Sequence, residues 1–561
     1  MGRDRRRGTL VLLLVVASAA VVGGAATAGA TSADGATATD AAPRVVALLP
    51  NPVAAGDAGE YVRLRLPRGN WTLSDGEDRI RIERGRAGAV LVTDDPEAIV
   101  APPNGSVVAA PLSLSNAGER LVLRRGGPDG TVVDEVAYAD APEGERWLRD
   151  ADGGDRWRPV GYAPRDPVAL GAANATAFVL PDAPGAAVEP IRRAEDRVLL
   201  AGYTFASERV ADDLIAARER GVRVRVLLDG APVGGITDVQ ARLLDRLVDA
   251  GVDVRVVSGP HARFRYHHAK YAVADDAAVV STENWKPSGT GGADNRGWGV
   301  VLRSPTAADA LAKLFAADRG WRDAVPWRTF RAGRTFTDAQ PATGSHPRRH
   351  APATVRVERA TLLTAPGNAE AGVVAVVDDA ERRVDVLQPT VEPGALLAAT
   401  RRAAKRGVRV RLLLSNAWYV AEENAALVDS LNRWADRAGV PFEARVADPG
   451  GAFGKVHAKG VVADDTAVVG SLNWNPTSAG ENREVVVALE GAGVADYYRE
   501  SFEADWRGEG GRPGGAVPPL VAVAAVGAAA GTVLYLRRRL AFDGGNGGPG
   551  PSEGDDRGPI G

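Results

Sequence analysis

An internal repeat limits the fold of this chain more than any other feature of its sequence. One copy lies within residues 177–228 and the other within 362–414. In both copies a helical stretch leads into nearly the same strand, RGVRVRVLL or RGVRVRLLL, and the Ala-Pro-Gly triplet at 183–185 matches the one at 365–367. Apolar strands alternate with amphipathic helices such as 206–220, which is typical of βαβ units around a largely parallel sheet. The repeat therefore predicts two α/β lobes of one kind.

Each copy is followed by the same polar residues at the same spacing. The first set is His268, Lys270, Asp275 and Asn284, and the second is His457, Lys459, Asp464 and Asn473. In both sets the Asn lies 16 residues after the His. Alternate residues of an extended strand share one face, so the His and Lys of each set are expected to point the same way. Two such strands that meet across a pseudo-twofold axis would surround one pocket with two His, two Lys and two Asn.

This H-x-K-x4-D pattern, present twice in register, resembles the phospholipase D superfamily over about residues 170–510. The resemblance implies two pseudo-twofold-related lobes with mixed sheets flanked by helices, at 170–325 and 355–510, joined by a linker at 335–354. It also implies phosphodiester chemistry without a metal or cofactor, in which one imidazole attacks phosphorus and forms a phosphohistidine. The second imidazole protonates the leaving group. Because one chain carries both halves of the site, we expect a monomer.

Lysine usage supports a chemical role for the motif. The chain has 68 basic residues, of which only six are Lys, yet both motif positions hold Lys. A compact, rotatable ammonium is not interchangeable with a planar guanidinium. The predicted phosphate-binding residues are Lys270, Asn284, Lys459, Ser471 and Asn473. Asp275 and Asp464, also assigned to the site, are expected to hold strand and loop geometry.

The two copies differ downstream of the motif. In the second copy Glu484 follows an Asn-Arg pair, where the family has a carboxylate that hydrogen-bonds the motif His. Such a partner fixes the tautomer and stabilises the imidazolium. The first copy has Gly297 at the matching position, and Asp294 is a candidate substitute. The resemblance favours His268 as the nucleophile, whereas Glu484 argues for His457.

The region before the repeat has a different pattern. From 44 to 158, short β-like runs are separated by turn residues, which predicts a small all-β sandwich. The stretches 60–62, 70–76 and 133–138 together resemble a lamin-tail domain. They contain no arrangement of acid, base and nucleophile, so we expect an accessory binding or spacer role.

Two segments suggest a membrane location. Residues 1–30 combine an Arg-rich start, an apolar run and an A-x-A site, as in a signal peptide, with an uncleaved signal anchor as the alternative. A polar leader follows at 31–43. Residues 516–536 are uncharged and precede three Arg, which predicts a transmembrane helix with a disordered cytoplasmic tail at 537–561. These features predict a single-pass cell-membrane protein with an extracellular catalytic region.

Composition narrows the possible functions. The chain has no Cys, which excludes thiol nucleophiles, disulfides and thiolate metal sites. Its net charge of −3 gives no overall attraction to nucleic acid. We expect hydrolysis or head-group transfer on phospholipids. The alternative is a secreted, membrane-anchored nuclease, which would require a long basic groove, and a third possibility is a non-catalytic surface-binding protein that retains the fold.

Overall fold

The computed structural model describes residues 42–84, 87–99, 105–149, 155–161, 165–259, 261–338, 342 and 344–508. These residues form an N-terminal β unit and two α/β lobes. The predicted signal peptide, the transmembrane segment and the tail all lie outside the described residues.

The N-terminal unit consists of two sheets packed face to face. Its strands are β1 (Arg44–Leu49), β2 (Tyr61–Leu66), β3 (Gly69–Ser74), β4 (Arg79–Arg84), β5 (Gly88–Thr93), β6 (Ser106–Ala109), β7 (Glu119–Arg125), β8 (Thr131–Tyr138), β9 (Glu145–Arg149) and β10 (Asp155–Pro159). A 3-10 helix spans Ala55–Asp57. The sheets have the orders β10-β9-β1-β2-β5-β6 and β4-β3-β7-β8. In β2 every second residue is buried, and these residues join Trp71 in the core between the sheets. The described part of 44–158 is thus all-β.

The first lobe follows this unit. Its strands are β11 (Val168–Leu180), β12 (Arg197–Gly202), β13 (Arg223–Asp229), β14 (Asp253–Val257), β15 (Tyr271–Ala274), β16 (Ala277–Ser281), β17 (Asn295–Arg303) and β18 (Ala324–Pro326). Its helices are α1 (Glu189–Arg193), α2 (Glu208–Glu219), α3 (Asp238–Asp249), α4 (Pro305–Arg319) and α5 (Trp327–Arg331).

The second lobe repeats the pattern. Its strands are β19 (Ala353–Ala365), β20 (Arg383–Gln388), β21 (Arg409–Leu414), β22 (Phe442–Val446), β23 (Lys455–Val456), β24 (Gly460–Ala463), β25 (Thr466–Gly470) and β26 (Glu484–Glu490). Its helices are α6 (Ala369–Asp378), α7 (Ala395–Lys405), α8 (Ala421–Ala438), α9 (Pro476–Gly480) and α10 (Ala492–Arg507).

One 16-stranded sheet runs through both lobes. From its centre outward the order is β11-β17-β16-β15-β12-β13-β14-β18 on one side and β19-β26-β25-β24-β20-β21-β22 on the other, and the sixteenth strand, β23, pairs with β17 off this path. Strands β11 and β19 pair in antiparallel fashion, for example Ala175 with Val355. A pseudo-twofold axis therefore passes between them, and the predicted α/β architecture of two lobes fits the structure.

The βαβ units have the sequence signals expected of them. Strand β12 (RVLLAG) is buried along nearly all its length and pairs in parallel with β13. A continuous apolar run suits a strand covered on both faces. The connecting helix α2 begins after Ser207, whose side chain accepts a hydrogen bond from the N–H of Val210 at 3.3 Å. Its buried residues are Val210, Ala211, Leu214 and Ala217, which form one stripe.

The strand ends correct the register of the sequence repeat. Strand β11 ends at Leu180 and β19 ends at Ala365, and a proline follows each. Pro181 is therefore the structural equivalent of Pro366. The sequence match between the triplets at 183–185 and 365–367 is offset by three residues.

The predicted transmembrane helix requires a larger correction. No helix in the described part of the chain is long and apolar enough to cross a membrane. The longest, α8, has 18 residues and carries charged residues such as Glu422 and Arg433, because it covers one edge of a sheet with a single apolar stripe. The structure thus does not support the part of the predicted fold class that included a transmembrane helix, nor the single-pass location with an extracellular catalytic region. The segment 516–536 itself lies outside the described residues.

The motif aspartates occupy hairpin turns. Asp275 follows β15 with φ of 50°, and its carboxylate accepts hydrogen bonds from the N–H groups of Glu195, Asp196 and Arg197 at 2.8 to 3.0 Å. Asp464 has φ of 46° and makes the same contacts with the backbone before β20. Burial raises the pKa of each carboxyl, but the backbone donors outweigh it and lower the pKa. Each Asp joins a hairpin to the strand beside it.

We expect Asp275→Ala to lower the free energy of unfolding by about 2 kcal/mol, because three backbone N–H groups lose a charged acceptor. Asp276→Ala is the matched control, since only the backbone carbonyl of this exposed neighbour makes a hydrogen bond, to Ser304. Urea unfolding measures both variants. Unchanged stability of Asp275→Ala would contradict the structural role.

Candidate active site

The two motif segments cross to the opposite lobe. Strand β23, just before His457, pairs in parallel with the start of β17, and the N–H of His457 donates to the carbonyl of Arg296 at 3.0 Å. Symmetrically, the N–H of His268 donates to the carbonyl of Arg483 at 3.0 Å. The prediction that the motif histidines lie on strands is wrong, because both lie just outside regular strands, where their backbone N–H groups pair with the opposite lobe. Backbone pairing across the lobes therefore brings them to the pseudo-twofold axis.

Each histidine is paired with a glutamate from the other lobe. Nδ1 of His268 lies 2.9 and 3.0 Å from the two carboxylate oxygens of Glu484. Nδ1 of His457 lies 2.9 Å from Oε1 of Glu283. Both glutamates are fully buried. A carboxylate beside Nδ1 holds the proton on that nitrogen and leaves Nε2 as the nitrogen available to a substrate.

Burial sets the charge of these pairs. It lowers the pKa of His268 to about 4 and that of His457 to about 3, although the glutamates act in the opposite direction. Both imidazoles are therefore neutral at pH 7 in the free protein. Burial raises the pKa of Glu283 and Glu484, but the paired histidines and nearby lysines outweigh it and lower the pKa. Both glutamates are carboxylates.

The motif lysines are buried beside the histidines. Nζ of Lys270 donates to the carbonyl of His268 at 2.5 Å, and Nζ of Lys459 donates to that of His457 at 2.6 Å. Burial lowers the pKa of Lys459 to about 8 and that of Lys270 well below its usual range. The charge of Lys459 also lowers the pKa of His268, and that of Lys270 lowers the pKa of His457. The groups of both lobes thus act on each other in one site that is suited to an anion.

Glu283 is the site residue that the sequence reasoning missed. Its Oε2 accepts a hydrogen bond from Nδ2 of Asn295 at 2.7 Å. The candidate substitute, Asp294, instead lies 3.5 Å from Nζ of Lys455. In the second copy Leu472 occupies the position that matches Glu283. The only signal in the sequence was therefore the difference between Glu283 in the first copy and the apolar Leu472 at the matching position of the second.

Gly297 makes room for this glutamate. A Cβ placed on Gly297 would lie 2.2 Å from Cγ of Glu283. Gly297 matches Glu484 in the sequence repeat. The second lobe therefore supplies its carboxylate from strand β26, whereas the first lobe supplies it from the loop before β17 and has a glycine at the strand position. The same function is reached from two different backbone positions.

Polar neighbours hold Glu484 in place. Oγ of Ser478 and Nδ2 of Asn482 both donate to its Oε1, the latter at 3.2 Å. Asn482 is the counterpart of Asn295. The hydroxyl of Ser471, a predicted phosphate ligand, is buried, donates to the carbonyl of Val485 at 3.3 Å and accepts from its N–H at 3.0 Å. Ser471 thus fixes the start of β26 next to Glu484.

The two motif asparagines differ in their surroundings. Asn284 is buried, and its Oδ1 has no hydrogen-bond partner in the described part of the chain. Asn473 is half-buried, and its N–H donates to Oγ of Ser478 at 3.1 Å. The following residues, Trp285 and Trp474, lie in the cores of their lobes.

Two further side chains lie close to His268. The ring of Tyr203 packs edge-on against His268 at a centroid distance of 4.8 Å, and Nζ of Lys270 lies 5.4 Å from the Tyr203 centroid. His267 is fully buried, and its N–H donates to Oδ2 of Asp229 at 2.5 Å. Among the described residues no group of three or more His, Cys, Asp or Glu is arranged to hold a metal ion.

Comparisons with known proteins agree with this geometry. Residues 188–319 and 373–506 match the family model described as "Cardiolipin synthase, PLD-like domain". The chain thus carries a phospholipase D-like domain in two segments, each of which contains one His–Lys motif. The match does not extend to the N-terminal β unit, and the resemblance to a lamin-tail domain is not confirmed.

Named relatives and solved structures were also found. The chain is 27% identical to cardiolipin synthase B of Shigella flexneri over 338 residues, which covers 54% of this chain and 73% of that protein, and the values for the Escherichia coli protein are the same. Phosphatidylserine synthase of Haemophilus influenzae aligns with a TM-score of 0.48 at 15% identity, over 62% of this chain and 88% of that one. Nuc of Salmonella typhimurium, a phospholipase D family member, aligns with a TM-score of 0.24 at 19% identity, over 29% and 98%. Both TM-scores are below 0.5.

We expect Glu283→Gln to reduce kcat/KM on a phosphodiester by about a hundredfold or more, because His457 loses the carboxylate that orients and stabilises it. The double variant Glu283→Leu with Gly297→Glu copies the arrangement of the second lobe and is expected to recover part of this loss. Gly297→Glu alone is the matched control and is expected to be inactive, since Glu283 occupies the space. If Glu283→Gln kept full activity, Glu283 would not position His457.

A second prediction concerns pH. With bis(p-nitrophenyl) phosphate, whose leaving group needs no general acid, kcat/KM is expected to be level between about pH 5 and 7, where both imidazoles are neutral. Above about pH 8 it is expected to fall, because the pKa of Lys459 is about 8 and its positive charge is lost as the pH rises through that value. A profile that stays level to about pH 10 would show that Lys459 keeps an ordinary pKa.

Proposed function

We propose that this protein is a phosphodiesterase that acts on phospholipids through a phosphohistidine intermediate. It either hydrolyses the diester or transfers the phosphatidyl group to another alcohol. The observation that carries this proposal is the pair of crossed His–Glu contacts, each beside a buried lysine. The description of the matched domain and the names of the relatives support a phospholipid as the substrate.

In the proposed first step, Nε2 of His268 attacks phosphorus and a P–N bond forms. The bond from phosphorus to the leaving oxygen breaks, and its electron pair stays on that oxygen. Nε2 of His457 donates a proton to this oxygen. His457 acquires that proton when the substrate binds, because the diester's negative charge raises the pKa of a buried imidazole beside it. Glu484 keeps the Nδ1 proton of His268 and stabilises the positive charge of the phosphorylated ring.

In the second step, His457 is neutral again and acts as a base. It takes a proton from water or from an alcohol, and that oxygen attacks phosphorus. The P–N bond breaks, and its electron pair returns to Nε2 of His268. Hydrolysis and transfer therefore share one intermediate and differ only in the oxygen that attacks it.

The buried cations stabilise the charge that develops on the phosphoryl oxygens. Lys270 and Lys459 lie on either side of the pseudo-twofold axis, and Nδ2 of the buried Asn284 is the proposed donor from the first lobe. Preorganised donors in a buried site stabilise such charge more strongly than water does. The predicted phosphate contact of Asn473 fits the same scheme. The predicted phosphate contact of Ser471 is replaced in this proposal by an indirect role, because its buried hydroxyl is bonded to the backbone of Val485 at the start of β26.

We expect the purified full chain to cleave or transfer phosphatidylcholine or phosphatidylglycerol and to leave single-stranded DNA intact. Phosphatidic acid and new phosphatidyl alcohols are measured by mass spectrometry, and DNA products on gels. His268→Asn and His457→Asn are expected to reduce lipid turnover at least about a thousandfold. Turnover of DNA alone would make the protein a nuclease, and turnover of neither would contradict the proposal.

The same two variants assign the histidine roles. With bis(p-nitrophenyl) phosphate, His457→Asn is expected to accumulate a phosphorylated His268, because the first step needs no acid while the second lacks its base. His268→Asn is expected to form no adduct. Mass spectrometry of tryptic peptides, prepared at neutral to alkaline pH because acid cleaves the P–N bond, detects the modified residue. An adduct on His457 in the His268→Asn variant would reverse the assignment.

A further inference from the structure

Exposed apolar side chains are concentrated on two loops. Among the described residues the large hydrophobic side chains that are exposed are Val132, Val168, Val233, Trp418 and Tyr419. Three of these five lie on the loops that follow β13 and β21. Trp418 is 70% exposed and Val233 is 62% exposed. Scattered surface hydrophobics are ordinary, but a concentration of them at related positions marks an interaction surface.

The two loops are equivalents under the pseudo-twofold axis. Strand β13 occupies the same place in the first lobe as β21 in the second, and each pairs in parallel with its neighbours. The loops leave the carboxyl ends of these strands. In α/β sheets ligands bind at this edge. Strands β13 and β21 run in opposite directions within the continuous sheet, so the two loops do not share a sheet edge. The contacts of each loop with a catalytic segment bring Val233 and Trp418 toward one site.

Both loops are attached to the catalytic segments. The N–H of Val233 donates to the hydroxyl of Tyr203 at 2.6 Å, and the ring of Tyr203 packs on His268. On the other side Nδ2 of Asn416 lies 3.5 Å from the carbonyl of Gly454, and Nζ of Lys455 lies 5.5 Å from the centroid of Tyr419. Lys455 precedes His457 by two residues. The exposed side chains thus flank the approach to both histidines.

We infer that the loops carrying Val233 and Trp418-Tyr419 dock this protein on the surface of a lipid bilayer. The inference rests on the proposed function, because a phospholipid whose phosphate reaches the imidazoles has acyl chains that leave across these loops. Trp and Tyr rings, apolar in body and polar at one end, favour the interface between lipid and water.

The charges around the loops favour lipid over nucleic acid. Proteins that bind single strands combine stacking aromatics with a groove of available cations. Here Lys455 is 3.5 Å from Asp294, and Arg265 on the other lobe is 3.0 Å from Glu143. Lys286 is half-buried. Burial lowers its pKa, and the negative charges of Glu283 and Asp294 act in the opposite direction. Among the residues that the structure describes, these three cations are therefore matched by carboxylates.

The test uses the full chain with Trp418→Ala and Val233→Asp combined. Binding is measured by sedimentation with vesicles of equal parts phosphatidylcholine and phosphatidylglycerol, and turnover by mass spectrometry on the same vesicles and on dihexanoylphosphatidylglycerol below its critical micelle concentration. We expect vesicle binding and vesicle turnover to fall about tenfold or more, while turnover of the dissolved short-chain lipid changes less than about twofold. Val132→Asp, which changes an exposed valine on the N-terminal β unit, is the matched control and is expected to change neither.

The outcomes separate the two proposals. Unchanged vesicle binding in the double variant, or an equal loss in Val132→Asp, would overturn the docking surface. Binding of oligo-dT that depends on Trp418, without binding to vesicles, would overturn it in favour of base stacking. If the unmodified protein turned over neither lipid, the proposed function would fail, and sedimentation alone would still decide whether these loops bind a bilayer.

Discussion

The crossed contacts between lobes are the constraint on which the active site depends. His268 and Glu484 belong to different lobes, as do His457 and Glu283, so neither lobe contains a complete histidine–carboxylate pair. The pairing of β11 with β19 fuses both lobes into one 16-stranded sheet and fixes the distance between them. The positions of the two histidines and two glutamates therefore depend on how the two lobes are joined, and not on the short motif segments alone.

Burial gives this arrangement its electrostatic character. Two imidazoles, two ammonium groups and two carboxylates are buried together. Desolvation lowers the pKa of both histidines and both lysines. Burial destabilises the charged forms of the two lysines. A bound anion has the opposite effect, because its negative charge favours the protonated forms of the lysines and histidines. Behind the histidines, buried Arg296 and Arg483 bind aspartates of α10 and α4, which anchors the strand ends that the motif segments pair with.

Much of this could be read from the sequence, because repeats and motif spacing report backbone geometry. The repeat predicted two α/β lobes, and the doubled motif predicted that His268 and His457 serve one site. The expectation of a largely parallel sheet was wrong, because most neighbouring strands described in the two lobes pair in antiparallel fashion. Glu283 was missed because its side chain occupies the space that the missing side chain of Gly297 leaves open. An alignment of the two copies does not show this contact. Tyr203 was missed because it lies outside the motif. The transmembrane prediction rested on hydropathy alone and gained no support from the described helices.

A crystal structure with orthovanadate tests the central claim most directly, because this ion adopts the geometry of a phosphoryl group under attack. The account predicts one vanadium atom with Nε2 of His268 bonded on one side, Nε2 of His457 within hydrogen-bond distance of the opposite oxygen, and both lysines on the equatorial oxygens. Vanadate bound to each histidine in a separate pocket, with no atom shared between the lobes, would contradict it.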